Sequence, residues 1–331
     1  MVSLVNNIAI IRRNGLGDTL CTIPLVLYCK KKWPEANVTL FLEEKSLCLA
    51  PFLEGPDRIV SIPKGKNKYT SLLSAALKER KTKFDLAFSA KTSPMQMMNL
   101  FLFALGARFR YAYTTKSWDS FLVNQRVNYE PMGQLHQAVQ VLRLIDPNID
   151  TIASDLYPKL KGVGQRKLNH LPTLFYSVSN NRAGCTLSLP KAASLLNRLQ
   201  KSHSFCTIIN SLPQDRERGE TLSSLLVGPS QVLPTESFTE FLEILNSCDA
   251  VFVGEGGVSH LAAALKKPIV ALFGGTILSR WRPLTDKAIC FSIQGHVDDL
   301  PEEEVLRALE NNFLTTRSQD SLEHTENTEE K

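Results

Sequence analysis

Apolar positions along the chain follow two alternating patterns, short continuous runs and longer stretches in which they recur at helical spacing. Residues 8–12, 38–42, 58–62, 84–89 and 109–113 are β-rich apolar runs of the first kind, which predict buried strands. The stretches between and after them, 19–32, 69–80, 95–105 and 135–145, predict helices. Pro24 lacks an amide hydrogen, so it must lie in the first turns of its helix or bend it. The rhythm breaks over 146–172, where Pro147, Pro158, Gly162, Gly164 and Pro172 cluster, and then restarts. Strands are expected at 173–178, 205–210, 249–253 and in a run ending at Gly274, with helices at 191–200, 215–226, 238–247, 261–265 and 302–312. Such alternation predicts an α/β protein with open parallel sheets covered on both faces. The expected organisation is an amino-terminal domain over 1–150, a linker over 151–171, a carboxy-terminal domain over 172–314 and a disordered acidic tail over 315–331.

Length agrees with two domains, since 331 residues exceed the single core of a domain of about 100 to 150 residues. A hydrophobic content of 43% and a mean hydropathy of −0.09 are those of a soluble globular chain. No apolar run approaches the roughly 18 to 20 residues of a membrane span, and Asn6 and Asn7 interrupt the short apolar start, which is not the pattern of a signal peptide. The seven cysteines are scattered, with no C-x-x-C pair. They are expected as small core hydrophobes in a reducing cytoplasm.

Charge is unevenly placed. Residues 1–150 hold 20 Lys and Arg against 12 Asp and Glu, a balance of +8, while residues 151–331 hold 18 against 21, a balance of −3. The positive clusters lie at 30–32, 64–68 and 78–83. They suit an anionic membrane or an acidic acceptor, and solvated helix faces would look the same. No nucleic-acid partner is expected.

Two glycine turns carry the candidate chemistry. The apolar strand before Gly254 runs into Glu255-Gly256-Gly257-Val258-Ser259-His260 and then a helix former, so the glycines sit where a strand's carboxyl end meets a helix amino terminus. Backbone N–H groups and the helix dipole point out of such a turn, and missing Cβ atoms let a phosphate approach closely. A tight turn with no ligand would read the same. A similar arrangement follows the first strand, at Asn14-Gly15-Leu16-Gly17-Asp18. Asp18 there is either a functional carboxylate or a helix-start residue stabilised by the dipole. In doubly wound sheets, ligands bind at the carboxyl ends of the strands.

The stretch 12–25, RRNGLGDTLCTIPL, and the stretch 252–274, with its Gly-Gly-x-x-His-Leu-Ala-Ala-Ala-Leu-x-x-Pro core, resemble glycosyltransferase family 9, the lipopolysaccharide heptosyltransferases and their relatives. Residues 280–284 resemble a further segment of that family. The resemblance implies the GT-B fold, two Rossmann-like domains facing each other across a crevice. It implies an inverting transfer from a nucleotide-sugar donor, ADP-heptose in the heptosyltransferases, to a lipid-linked or oligosaccharide acceptor of the lipopolysaccharide core; no Asp-x-Asp metal motif is visible in the sequence, so a metal-independent mechanism is expected. It assigns Asp18 as general base and Gly17, Glu255, Gly256, Gly257, Val258, Ser259 and His260 to the donor site, with no cofactor. The location it implies is cytoplasmic, peripheral on the inner face of the membrane. Two departures stand out. The family's Asp-Thr-Gly is Glu255-Gly256-Gly257 here, and the lysine expected after the first strand of the second domain is missing, with Arg182 the nearby cation that would take over its phosphate contact. Both departures leave open a non-catalytic relative that binds a nucleotide sugar.

Overall fold

The computed structural model describes residues 4–62, 68–115, 118–131, 133–180, 182 and 184–311. The expected tail over 315–331 and the lysines Lys64 and Lys66 lie outside the described residues, as does the side chain of Lys68. The chain forms two compact units, Met1–Lys161 and Gly162–Lys331.

The first unit is built on a six-stranded sheet of β1 (Asn7–Arg12), β2 (Asn37–Glu43), β3 (Arg58–Ile62), β4 (Leu86–Ser89), β5 (Phe109–Thr114) and β6 (Gln125–Asn128), in the order β3-β2-β1-β4-β5-β6. All pairs are parallel. The central strand β1 buries Ile8, Ile10 and Ile11 completely or nearly so, as expected of a strand covered on both faces. Helices α1 (Leu16–Leu20), α2 (Ile23–Lys32), α3 (Lys68–Glu79), α4 (Gln96–Leu105) and α5 (Gln137–Leu142) complete the unit. The single helix expected over 19–32 is two helices. Pro24 sits in the first turn of α2, where its missing amide costs nothing, and Thr22 turns back to bond the Thr19 carbonyl at 2.9 Å. Part of the region expected as a linker packs on this unit: Leu160 forms a bridge with Leu53, and Lys31 pairs with Asp155 at 2.7 Å.

The second unit repeats the design. Strands β7 (Thr173–Ser177), β8 (Cys206–Ser211), β9 (Ser230–Pro234), β10 (Ala250–Gly254), β11 (Ile269–Gly274) and β12 (Ala288–Ile293) lie in the order β12-β11-β10-β7-β8-β9. Counted within the unit this is the same order as in the first, all parallel, with the direction of winding reversing between β7 and β10. The covering helices are α6 (Leu189–Ser202), α7 (Arg216–Leu225), α8 (Phe238–Ser247), α9 (Gly257–Ala264) and the short α10 (Leu278–Trp281). A further helix over 302–311 packs Val305, Leu306 and Leu309 into the same core as Leu195, Leu196 and Leu199 of α6. β6, β9 and β12 have no counterpart among the strands read from the sequence. All three are edge strands with half-exposed positions; β6 and β9 lack the continuous apolar run that marks a central strand, whereas β12 (AICFSI) carries one that the sequence reading passed over.

Candidate functional site

In the second unit β10 ends at Gly254, Glu255 extends the ladder by donating its N–H to the Leu272 carbonyl at 2.7 Å, and α9 starts at Gly257 with Gly256 as its cap. The glycines here have different reasons. A Cβ on Gly254 would lie 1.7 Å from the Cys185 carbonyl oxygen, and one on Gly274 would lie 2.1 Å from that of Gly184, so both serve the close approach of the 184–185 backbone. A Cβ on Gly256 would meet nothing nearer than Asn180 Oδ1 at 3.8 Å. Gly256 is therefore half-buried with room at its Cβ position, beside the helix amino terminus, where backbone N–H groups have no intrahelical partner. Gly257 and Val258 are half-buried in the first turn of α9. Ser259 is fully buried and donates its hydroxyl to the Gly256 carbonyl at 2.9 Å, so the structure places that group inside the helix turn and not at its open end. His260 is likewise buried.

Beside this turn Glu255, Arg182 and Trp281 form a compact group. Glu255 is 1% exposed, and its Oε2 lies 3.0 Å from Arg182 Nη1. The same oxygen accepts the Thr276 hydroxyl at 3.3 Å and the Cys185 thiol at 3.8 Å. The Arg182 guanidinium lies over the Trp281 ring at 5.6 Å, while 42% of its side chain stays exposed. Asn180 anchors the loop, accepting the Arg182 N–H at 3.0 Å and donating to the Glu255 carbonyl at 3.1 Å. Burial pushes the Glu255 carboxyl above its usual range, with Arg182, Thr276 and Cys185 opposing it. The structure thus gives Arg182 a carboxylate partner that sequence spacing did not reveal.

Arg182 also borders a cleft of about 350 Å³ at the carboxyl ends of β7 and β8. Asn180, Thr186, Asp215, Arg218 and His296 supply its polar wall, and the Thr186 hydroxyl is buried without a hydrogen-bond partner. Asp215 is held by the Ser179 hydroxyl at 2.6 Å, and Asp298, also at the cleft, accepts the Ser188 N–H at 2.9 Å. Such a volume with a few convergent polar groups suits part of a small ligand. Sequence spacing marks neither carboxylate as part of a site. Their membership of the cleft depends on where β8 and the turn after β12 bring them.

In the first unit the turn after β1 is capped by Gly15, and Asp18 lies in the first turn of the five-residue α1. Gly17 is half-buried within that helix, its carbonyl accepting the Cys21 N–H at 2.9 Å. The Asp18 side chain is 20% exposed, and its Oδ1 accepts a charge-assisted bond from the buried Arg12, which also donates to the Ala90 carbonyl. Arg12 therefore fixes the carboxylate's orientation. Arg13 pairs with Glu43, and Lys45 pairs with the same carboxylate at 3.3 Å. Burial raises the Glu43 carboxyl, but the Arg13 and Lys45 contacts outweigh it and hold it low. Lys91 is held low first by burial and then by the Arg12 charge, with Asp18 acting the other way. Arg12, Glu43 and Lys91 went unrecognised in the sequence, because they reach Asp18's surroundings from β1, β2 and the end of β4.

The basic residues at 30–32 are engaged locally. Lys30 pairs with Asp57 at 3.0 Å, Lys31 with Asp155, and Lys32 lies over the Tyr28 and Trp33 rings. Among the described residues no helix is long and apolar enough to cross a membrane.

Residues 193–310 match the family model described as glycosyltransferase family 9 (heptosyltransferase). A 52-residue segment is 36% identical to lipooligosaccharide heptosyltransferase 2 of Haemophilus influenzae; it spans 16% of this chain and 15% of that relative's length. The fold is similar over far more of the chain. The E. coli ADP-heptose heptosyltransferase II structure superposes with a TM-score of 0.76 at 17% identity, covering 94% of this chain and 99% of that one. A glycosyltransferase family 9 structure from Veillonella parvula gives 0.77 at 14% identity over 94% and 97%. The E. coli heptosyltransferase WaaC with ADP gives 0.70 at 15% identity over 92% and 99%. At these identities the superpositions speak for the fold, and that fold is GT-B.

Proposed function

We propose, for this glycosyltransferase family 9, heptosyltransferase-like chain, that it transfers a sugar from a nucleoside-diphosphate donor to a glycan or glycolipid acceptor with inversion at the anomeric carbon. The observation that carries the reading is the uncrowded, half-buried Gly256 at the start of α9, with the half-exposed guanidinium of Arg182 in the adjoining group. A diphosphate there receives backbone N–H groups of Gly256, Gly257 and Val258, the helix dipole and one cation. The neighbouring cleft takes part of the rest of the donor. By likeness to proteins whose structures hold ADP and ADP-2-deoxy-2-fluoro heptose, the donor is ADP-heptose or a close analogue.

In the reaction an acceptor hydroxyl oxygen bonds to the anomeric carbon, the bond from that carbon to the diphosphate oxygen breaks, and the nucleoside diphosphate leaves with the bonding pair. Asp18 takes the hydroxyl proton. A sugar hydroxyl is a poor nucleophile, and a positioned carboxylate contributes about 10² to 10⁴ in rate. Negative charge growing on the leaving group is met by Arg182 and the α9 turn. The reading calls on no metal. Its acceptor is a lipid-linked core of lipopolysaccharide type, reached in the cytoplasm at the inner face of the membrane.

Calorimetric titration with ADP and UDP tests the donor site. Arg182→Ala and Gly256→Val should each weaken ADP binding, the first by the loss of a charge-assisted contact worth about 1.5 to 3 kcal/mol. Unchanged affinity in both variants would place the diphosphate elsewhere. A second reading, a non-catalytic nucleotide-sugar binder, is favoured by the Arg182–Glu255 pair, because a guanidinium already neutralised by a carboxylate supplies less charge to a leaving diphosphate. It requires ADP binding by a wild-type protein that releases no nucleoside diphosphate from ADP-heptose in the presence of acceptor glycolipid.

A further inference from the structure

Large exposed aromatics are concentrated on one part of the first unit. Trp118 and Phe121, on the 3-10 turn Trp118–Leu122 that joins β5 to β6, are 64% and 60% exposed, and their ring centroids lie 6.4 Å apart. Phe103 of α4 is 48% exposed and lies under the Arg110 guanidinium at 5.6 Å. Arg110 connects the two, since its Nε donates to the Leu122 carbonyl at 2.7 Å. The turn is locked against α4 by the buried bond from Asn99 Nδ2 to Asp119 Oδ2 at 2.6 Å, so the aromatics are held outward on rigid elements. Isolated exposed apolar side chains are ordinary, whereas several tied to one turn and one neighbouring helix end are what an interaction surface requires.

The charged side chains of the neighbouring segments are mostly basic. α3 packs on α4, and its end carries exposed Leu77 with Lys78 and Arg80, followed by Lys81 and Lys83. The Arg80 side chain lies against Gly106, at the end of α4. Arg108 and Arg126 are exposed at the starts of β5 and β6. The two carboxylates within these stretches are both withdrawn, Glu79 into its pair with Arg58 at 2.7 Å and Asp119 into its bond with Asn99. Aromatic side chains with a cationic rim fit the boundary of an anionic bilayer. Rings such as Trp and Phe insert at headgroup depth, and basic side chains meet the negative surface potential.

We propose that the face formed by the ends of α3 and α4 and the turn Trp118–Leu122 docks the protein on anionic lipid bilayers. The proposal gives the membrane contact of the reading above a defined surface, and it rests on that reading only for the purpose the contact serves. It is independent of Lys64, Lys66 and Lys68.

Sedimentation of the full-length protein with phosphatidylglycerol vesicles and with phosphatidylcholine vesicles tests it. The wild type should sediment with the former at low salt, and much less with the latter. Lys81→Ser with Arg108→Ser should lower the partition by about thirtyfold at low salt, a difference that shrinks at about 0.5 M salt. Trp118→Ser with Phe121→Ser should lower it by about tenfold or more at any salt. Native circular dichroism and unchanged ADP titration in both variants separate loss of docking from loss of folding or of the donor site. Three results would overturn the proposal: wild type that ignores phosphatidylglycerol vesicles, wild type that binds heparin or polyaspartate but no vesicle, or vesicle binding that survives both double substitutions. None of these touches the donor reading, which stands or falls on the ADP titration alone.

Discussion

The pair of Arg182 and Glu255 offers a test in which pH supplies the diagnostic. Arg182→Ala removes the cation 3.0 Å from a carboxylate that is 1% exposed, leaving it the Thr276 hydroxyl at 3.3 Å and the Cys185 thiol at 3.8 Å. Removing one partner of a fully buried ion pair costs about 3 to 5 kcal/mol. Arg182 is 42% exposed, and solvent screening reduces what its charge supplies, so about 1 to 2 kcal/mol is expected at neutral pH. Burial already holds the Glu255 carboxyl above its ordinary range while Arg182 opposes that shift, so the substitution must raise it further. A carboxyl raised in the folded state binds more protons folded than unfolded, and stability then falls as pH rises from the unfolded value through the folded one. The cost of Arg182→Ala should therefore be smallest in acid, where the carboxyl is protonated, and grow as pH rises. Urea unfolding followed by circular dichroism at several pH values measures it. Glu255→Gln in the same chain should remove the pH dependence and recover most of the lost stability, because the neutral amide needs no counter-charge. A cost that is the same at every pH, or one that Glu255→Gln leaves in place, would refute the reasoning.

Three further outcomes follow from the same structure. Asp18→Asn keeps the size of the side chain and most of its contact with Arg12, so turnover of sugar transfer should fall by about 10² or more with ADP affinity unchanged, and near-normal turnover would remove Asp18 from the chemistry. Gly254→Ala should destabilise the second unit by roughly 1 to 3 kcal/mol or more, since its Cβ would sit 1.7 Å from the Cys185 carbonyl, whereas Gly256→Ala should alter the urea midpoint little. The Lys191 contact holds the Glu302 carboxyl down at about 2, against the upward push of partial burial, with Ser194 and Arg198 adding to it; the stability this gives is present above the ordinary carboxylate value and lost toward pH 2, so Glu302→Gln should be less stable than wild type at pH 7 and indistinguishable in acid.

Local sequence was sufficient for the centre of each sheet. β1, β4, β7, β8, β10 and β11 are buried along almost their whole length and carry apolar runs at their centres. The edge strands β6 and β9 carry no such run. They exist because a neighbouring strand offers them a ladder, which is a property of the partner and not of the segment. The two glycine turns were legible for the same reason as the central strands, since a strand end, a glycine and a helix start lie within a few adjacent residues.

The surroundings of those turns were not legible. The sequence by itself determined the α/β class, the two-unit organisation, the placement of Asp18 and Gly256 at strand-to-helix turns, and Arg182 as the cation in the loop after β7. Tertiary structure alone decided that Arg182 meets Glu255 and Trp281, 73 and 99 residues further along the chain. It also decided that Arg12 fixes Asp18, that Ser259 spends its hydroxyl within its own helix, and that the turn carrying Trp118 and Phe121 is tied to Arg110 of β5 and Asn99 of α4. The physical reason is the reach of each interaction. Burial periodicity and turn chemistry act over a few neighbouring residues, whereas a carboxylate's partner and a surface patch are set by which strands the parallel crossovers bring side by side.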